Sequence, residues 1–266
     1  MRIATLNVNG IRAAARRGLG TWLEERQCDI VALQEVRCPA GLIPQNTLAG
    51  YHLSYHEGAL PGRNGVAVLS RQAPLATRHG FGYRHDAEGR YLEVDYPGLR
   101  VGSLYLPKGG YPDGDAAEVD RYRRKLLFLR SFRAHLTRSR LQARAAGLEF
   151  IVLGDFNIAH TPADLKNWRS NQRSPGFLPQ EREWFDTILG PRSLVDVVRR
   201  LHPHAEGPYS WWSWRGQSFT QDVGWRIDYH LASPGLAGRA RRGGTDRAID
   251  YESRLSDHAP VVVDYD

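Results

Sequence analysis

Eight short apolar runs constrain how this chain can fold. Arg2–Val8, Ile30–Glu35, Gly65–Ser70, Tyr91–Asp95, Arg100–Leu106, Phe150–Gly154, Ile227–Ala232 and Val261–Asp264 are rich in β-branched, aromatic and aliphatic residues and read as strands. Helical periodicity falls at Ala14–Gln27, Asp115–Arg144, Pro179–Leu189 and Leu194–His202. The second of these predicts an apolar face of Val119, Tyr122, Leu126, Leu129 and Phe132 with arginines opposite. The third opens with Pro179, Glu181 and Glu183, an N-terminal signature. Several strands follow one another directly, without strict βαβ alternation. The pattern predicts an α/β (α+β) fold of mixed sheets covered by helices, not a Rossmann or barrel fold.

Gly and Pro punctuate the whole length, and no linker, low-complexity block or short-period repeat divides it, so 1–266 reads as a single domain. One echo stands out: RIATLNVNG and FIVLGDFNIAH are both apolar strands that end in asparagine. An apolar content of 41% over 266 residues suffices for a packed core. No run reaches the length of a membrane span, and MRIATLNVNG has none of the regions of a secretory signal. Two cysteines, Cys28 and Cys38, make neither a disulfide framework nor a zinc site; a reducing cytoplasm is expected.

The net charge is +7, and lysine occurs only at 108, 125 and 166, so nearly all the positive charge is arginine. Arginine's planar fork suits bidentate phosphate contacts, although genomic composition also favours arginine. The balance points to an anionic polymer partner. Arg63, Arg121, Arg123 and Arg124 are candidates for backbone contacts, which position a duplex without reading its sequence.

Polar residues recur where the apolar runs end. IVLGDFNIAH places Asp155 and Asn157 two apart; in an extended chain both side chains point the same way. The pair is also ordinary turn chemistry. But Asn7 ends one run, Glu35 another and Tyr105 a third, Asp228 sits inside a fourth, and Asp257 and His258 precede the last. An ionised carboxylate in an apolar run is costly unless paired or metal-bound, so convergence on one site is the economical account. Glu35 with an Asn7 or Asp257 oxygen suits Mg²⁺ or Mn²⁺. His258 can bind a phosphate oxygen or shuttle a proton, with Asp228 fixing its tautomer. Asp155 can take a proton from water, and Asn157 and Tyr105 are neutral donors for a phosphoryl oxygen. Together these groups spell metal-assisted hydrolysis of a phosphate ester. No nucleotide-binding phosphate loop or serine-hydrolase elbow is present.

LNVNGIRA, LQEVRC, GVAVLSR, LYLP, GDFNIAHTPADLKN, PGFLPQEREWFD, YSWWSWR, GWRIDYHLAS and SDHAP run in order over essentially the whole chain. This set resembles the exonuclease III class of apurinic/apyrimidinic endonucleases, within the deoxyribonuclease-I-like endonuclease/exonuclease/phosphatase superfamily. The resemblance implies a four-layered α/β sandwich, two mixed β-sheets packed face to face with helices outside. It implies Glu35 as principal Mg²⁺ ligand with Asn7 and Asp257 contributing, Asp155 activating water, Asn157 and Tyr105 on the scissile phosphate, and Asp228 behind His258. Trp211, Trp225 and Ile227 would line a pocket for a flipped-out, baseless sugar, which offers an apolar face and no Watson–Crick edge. Trp212 and Trp214 are expected in buried packing.

The implied activity is Mg²⁺-dependent cleavage 5′ to abasic sites in duplex DNA, with 3′-to-5′ exonuclease activity and trimming of blocked 3′ ends, by a monomer without membrane attachment. Asn9 stands where many relatives carry aspartate. Lys108 stands where an amide is frequent, and it can add a phosphate contact. Two rivals are a same-fold phosphodiesterase acting on RNA, lipid or inositol phosphates, and a catalytically inactive damage-binding protein. The tryptophans and the basic charge argue against the lipid and inositol versions, and the full set of candidate chemical groups argues against the inactive one.

Overall fold

In the computed structural model, which describes residues 1–82, 84 and 86–266, twelve strands form two six-stranded sheets. The first sheet holds β1 (Arg2–Asn7), β2 (Ile30–Gln34), β3 (His52–His56) and β4 (Val66–Ser70), closed by β11 (Ala240–Thr245) and β12 (Val261–Tyr265). The second holds β5 (Ala76–His79), β6 (Tyr91–Tyr96), β7 (Leu99–Tyr105), β8 (Glu149–Asp155), β9 (Val195–Asp196) and β10 (Asp228–Ala232). Helices α1 (Ile11–Arg16) and α2 (Leu19–Arg26) belong to the first half of the chain. Helices α3 (Ala116–Ala145), α4 (Pro179–Ile188), α5 (Val197–Leu201) and α6 (Pro234–Gly238) follow β7.

The strand orders are β11-β12-β1-β2-β4-β3 and β5-β6-β7-β8-β10-β9. Each sheet has one parallel pair at its centre, β1 with β2 and β7 with β8, flanked by antiparallel neighbours. Parallel strands end at the same edge, and an antiparallel neighbour begins there. The ends of β1, β2, β7 and β8 and the starts of β10 and β12 therefore share one end of the sandwich. Every candidate catalytic residue lies on one of those six termini or just beyond it.

Three apolar clusters hold the layers. Ile3, Val66, Val68, Val94, Val101, Ile151, Leu153 and Val263 fill the space between the sheets. Leu6, Leu19, Trp22, Leu23 and Leu33 join α1 and α2 to the first sheet, and Phe128, Phe132, Phe150, Val152, Phe185 and Leu231 join α3 and α4 to the second. Fully burying one aliphatic or Phe side chain contributes about 1.5–3 kcal/mol, so each interface is strongly held. The four-layered sandwich is present. Among the described residues, no helix is long and apolar enough to cross a membrane.

Several expectations need correction. The helix expected over Ala14–Gln27 is two helices, divided at Gly18, whose φ of 98° is left-handed. Leu194–His202 divides into the short strand β9 and α5, whose first turn is capped by the Asp196 carboxylate accepting from the Arg199 N–H at 3.0 Å. Asp228 is the first residue of β10, not an interior one. The buried face of α3 is rotated toward Lys125, Phe128, Phe132, His135 and Ser139, while Val119, Tyr122 and Leu126 are half-buried. Strands β3, β5 and β11 lie outside the expected set. Their sequences HLSYH, ATRH and ARRGGT are polar and mostly not buried, because β3, β5 and β11 are sheet edges.

Candidate active site

The echo between the two asparagine-ended strands is a shared local structure. The Asn9 N–H donates to Asn7 Oδ1 at 3.0 Å, and the Asn157 N–H donates to Asp155 Oδ1 at 2.8 Å. Asn9 and Asn157 both take left-handed backbone, at φ 44° and 48°. Asn tolerates that region better than most residues, so each strand ends in a turn that turns its last side chain back toward the other sheet. Asp155 and Asn157 are therefore adjacent by a turn and not by continued extension. The Asn157 amide donates to Asp155 Oδ2 at 3.1 Å and to Leu106 O at 2.9 Å. Both its amide hydrogens are engaged, so a phosphate contact would require giving one up.

Asn7 joins the sheets. Its Nδ2 donates to Glu35 Oε1 at 2.8 Å and to Asp155 Oδ2 at 2.9 Å. Gly154 permits the close approach of β7 and β8 just before this point, since a Cβ there would stand 2.1 Å from Leu104 O. Parallel register then sets Tyr105 beside Asp155, and antiparallel register sets Asp228 opposite Asp155. His258 Nδ1 lies 2.8 Å from Asp228 Oδ2, and its Nε2 lies 3.8 Å from Asp155 Oδ2. Glu35, Asn7, Tyr105, Asp155, Asn157, Asp228 and His258 thus form one cluster. Asp257 is reached through Asn9, whose Nδ2 donates to its Oδ1 at 2.9 Å.

Burial sets the electrostatics. It pushes the Asp155 carboxyl up to about 7, with Asp228 and Glu35 adding to the rise against the opposing pull of His258. Burial alone would discharge His258, but Asp228 and then Asp155 outweigh it and raise the imidazole to about 10. Burial, then the charges of Glu35 and Asp155, hold the Tyr105 phenol well above its ordinary range, so it stays a neutral donor. Near neutral pH the cluster offers an acid poised to exchange a proton, a buried cation and a phenol.

Among the described residues, no three Asp, Glu, His or Cys side chains share one coordination shell. The donors are Glu35, the amide oxygen of Asn7 and, beyond Asn9, Asp257. An all-oxygen set with one or two carboxylates fits a hard ion that keeps several waters, as Mg²⁺ does, and does not fit a zinc shell.

The three pocket candidates meet beside this cluster. Ile227 is buried, the half-buried Trp211 and Trp225 meet edge to face with centroids 6.4 Å apart, and Phe177, Leu165 and Ala159 back them. Trp211 Nε1 donates to Asp257 Oδ2 at 3.1 Å, tying the slot to the cluster. Behind it, buried Arg226 binds Asp164 and Asp196, each at 2.7 Å. Trp212 is buried as expected, whereas Trp214 is half-buried with Arg17 and Arg254 against its ring. Arg63 and Lys108 are exposed on loops at this end of the sandwich.

Three contributors escape a reading of the sequence. Arg37 pairs with Glu35 and donates to Asn9 Oδ1 at 2.7 Å; its signal was position, two residues past the glutamate. Ser210 donates to Asp228 Oδ2 at 2.6 Å, and no feature of YSWWSW announces that role. Lys125 is fully buried, 2.6 Å from Glu181 Oε1, and donates to Asn157 O at 2.9 Å and Lys108 O at 3.1 Å. A lysine retained in so arginine-rich a chain was the available hint.

A fold of two stacked mixed sheets with acids, amides and an imidazole gathered at one edge is that of a phosphoester-cleaving enzyme. Residues 4–258 match the model of the Endonuclease/Exonuclease/phosphatase family. The chain is 33% identical over 263 residues to an exodeoxyribonuclease of Bacillus subtilis, covering 98% of each. It is 31% identical to the DNA repair nuclease APEX1 of Danio rerio, covering 99% of this chain and 81% of that one. It superposes on an AP endonuclease from Archaeoglobus fulgidus with a TM-score of 0.88 and 29% identity, covering 100% of this chain and 99% of that one. A 3′-5′ exonuclease (NExo) from Neisseria meningitidis gives 0.87 and 28%, covering both chains fully at 100%. The chain belongs to this family, in its exonuclease III and AP endonuclease branch. It is a nuclease of the exonuclease III type.

Proposed function

We propose that this nuclease hydrolyses the phosphodiester 5′ to an abasic site in duplex DNA and also trims blocked 3′ ends, with Mg²⁺ as cofactor, as a cytoplasmic monomer. The observation that carries this reading is the Asn7 amide, which holds Glu35 and Asp155 together across the two sheets beside the slot of Trp211, Trp225 and Ile227. Glu35, with Asn7 and Asp257, would hold the ion, which supplies charge stabilisation at the phosphoryl oxygens.

The chain's own groups account for the rest. Asp155 accepts a proton from the attacking water, a task suited to a carboxyl near 7. The new bond forms between that water's oxygen and phosphorus, and the bond to the 3′ oxygen breaks. The leaving 3′ oxygen takes a proton from solvent, so a 3′-hydroxyl is left on one side and a phosphate on the abasic sugar. His258, cationic and braced by Asp228, binds a non-bridging oxygen, and Tyr105 donates to the same group. Asn157 keeps Asp155 aimed. The aromatic slot takes a sugar without a base and rejects a normal nucleotide by size. The name of the Archaeoglobus relative supports the abasic-site activity, that of the Neisseria relative supports the 3′-end activity, and those of the Danio rerio and Bacillus relatives support a DNA-repair nuclease and an exodeoxyribonuclease.

The test is a panel of three duplexes, one with a central abasic site, one with a 3′-phosphate and one with a plain recessed 3′ end, each with Mg²⁺ and with EDTA. Nicking of the first and trimming of the second, both abolished by EDTA, is expected. Cleavage of RNA or another phosphoester with the abasic duplex untouched would overturn the substrate assignment. Tight, metal-independent binding without nicking would overturn the enzymatic one.

A further inference from the structure

Nine of the chain's 36 Lys and Arg residues, but two of its 29 Asp and Glu, lie in α3, so this one helix carries the whole net charge of +7 and the rest sums to zero. A compositional preference for arginine would spread its excess over the chain; it does not account for one element holding all of it. Past Asp120 no acid interrupts the helix. Lys125 is buried against Glu181, and Arg121 and Arg124 pair with Glu118 and Glu88. Arg123, Arg130, Arg133, Arg138 and Arg144 are exposed, and among the described residues they make no ion pair.

The helix also has a direction. It has 30 residues, a length of about 45 Å. Lys125, in its third turn, reaches the catalytic loop at Asn157 O, while the helix C-terminus leads into the start of β8, the end of that strand remote from Asp155. There Arg140, Arg144 and Arg192 line a surface cavity of about 340 Å³. Phe128, Phe132 and Leu136 turn inward onto the second sheet, so the unpaired arginines face solvent along the flank.

We propose that the outer face of α3 is a second DNA-contacting surface, which takes the phosphate backbone of duplex lying outside the segment held at the catalytic mouth. The catalytic reading enters only in the choice of DNA as the polyanion. Unpaired arginines along a helix, with no acid among them, attract phosphates without reading bases, and each contact releases counterions. Such a surface keeps the enzyme on undamaged DNA between incisions.

The test is the variant R130Q/R133Q/R138Q/R144Q, which keeps good helix formers at exposed positions. Its binding is measured across salt on an undamaged duplex of about six helical turns in EDTA. The slope of log K against log salt should fall by about 3 to 4, and affinity at low salt more than about tenfold. The matching Arg→Lys variant should restore the parental slope, and R241Q/R242Q should leave it unchanged. Nicking of an abasic duplex of about one turn should stay within about twofold of the parent. An unchanged slope, or an equal loss per charge in R241Q/R242Q, overturns the proposal. A parent that fails to nick the short duplex overturns the catalytic reading instead, while the slope still decides this one.

Discussion

Asn7 Nδ2 lies 2.9 Å from Asp155 Oδ2, and that hydrogen bond joins the end of β1 in one sheet to the end of β8 in the other. The same nitrogen holds Glu35, so a neutral amide sets the spacing of two buried acids that would otherwise repel. Asn7→Ala should lower turnover on abasic duplex on the order of 10²-fold while changing DNA affinity less than about threefold. Single-turnover nicking beside equilibrium binding checks this. Unchanged turnover would remove Asn7 from the mechanism.

The two raised pKa values predict a pH profile. Turnover should rise with pH as Asp155, its carboxyl held above the ordinary range by burial, becomes a base, and fall again where His258, held charged by Asp228, loses its proton. Asp228 is the largest contributor that keeps His258 charged. In Asp228→Asn the alkaline limb should therefore move down by more than about one unit. An alkaline limb that stays in place in this variant would show that His258 is not the group being read.

How legible all this was depended on burial. β1, β2, β7 and β8 are buried at all but at most one terminal residue each, so their sequences are mostly apolar and their polar ends conspicuous. The edge strand ATRH is exposed at three of four positions and carries no such contrast. Gly18 ended a helix inside an uninterrupted helical pattern because only its backbone angle marks the break. In the site, residues that stand out chemically were visible one by one. The residues that hold them were not. Ser210 and Lys125 act through geometry that exists only after the sheets stack, and a serine or a lysine in a sequence does not say whom it will meet.

His230 predicts a stability effect away from catalysis. Burial lowers its pKa from 6.5 to about 4, with Nε2 on Val261 O at 3.1 Å and Nδ1 near the Tyr265 hydroxyl at 3.2 Å. The unfolded chain therefore takes the proton first. The contribution is complete above the unfolded value and lost as pH falls toward the folded one, by about 3 kcal/mol at most. Urea unfolding of the parent and of His230→Gln between those limits should converge as pH falls. Parallel curves would contradict the assignment.

The most direct test of the central claim, that groups from both sheets form one phosphodiester-cleaving centre, is the single-turnover rate of Asp155→Asn on an abasic duplex. The substitution keeps the shape of the side chain but removes the proton acceptor and replaces one of two accepting oxygens with a donor. A fall on the order of 10²-fold or more, with DNA affinity preserved, is the predicted result. A near-normal rate would contradict the account.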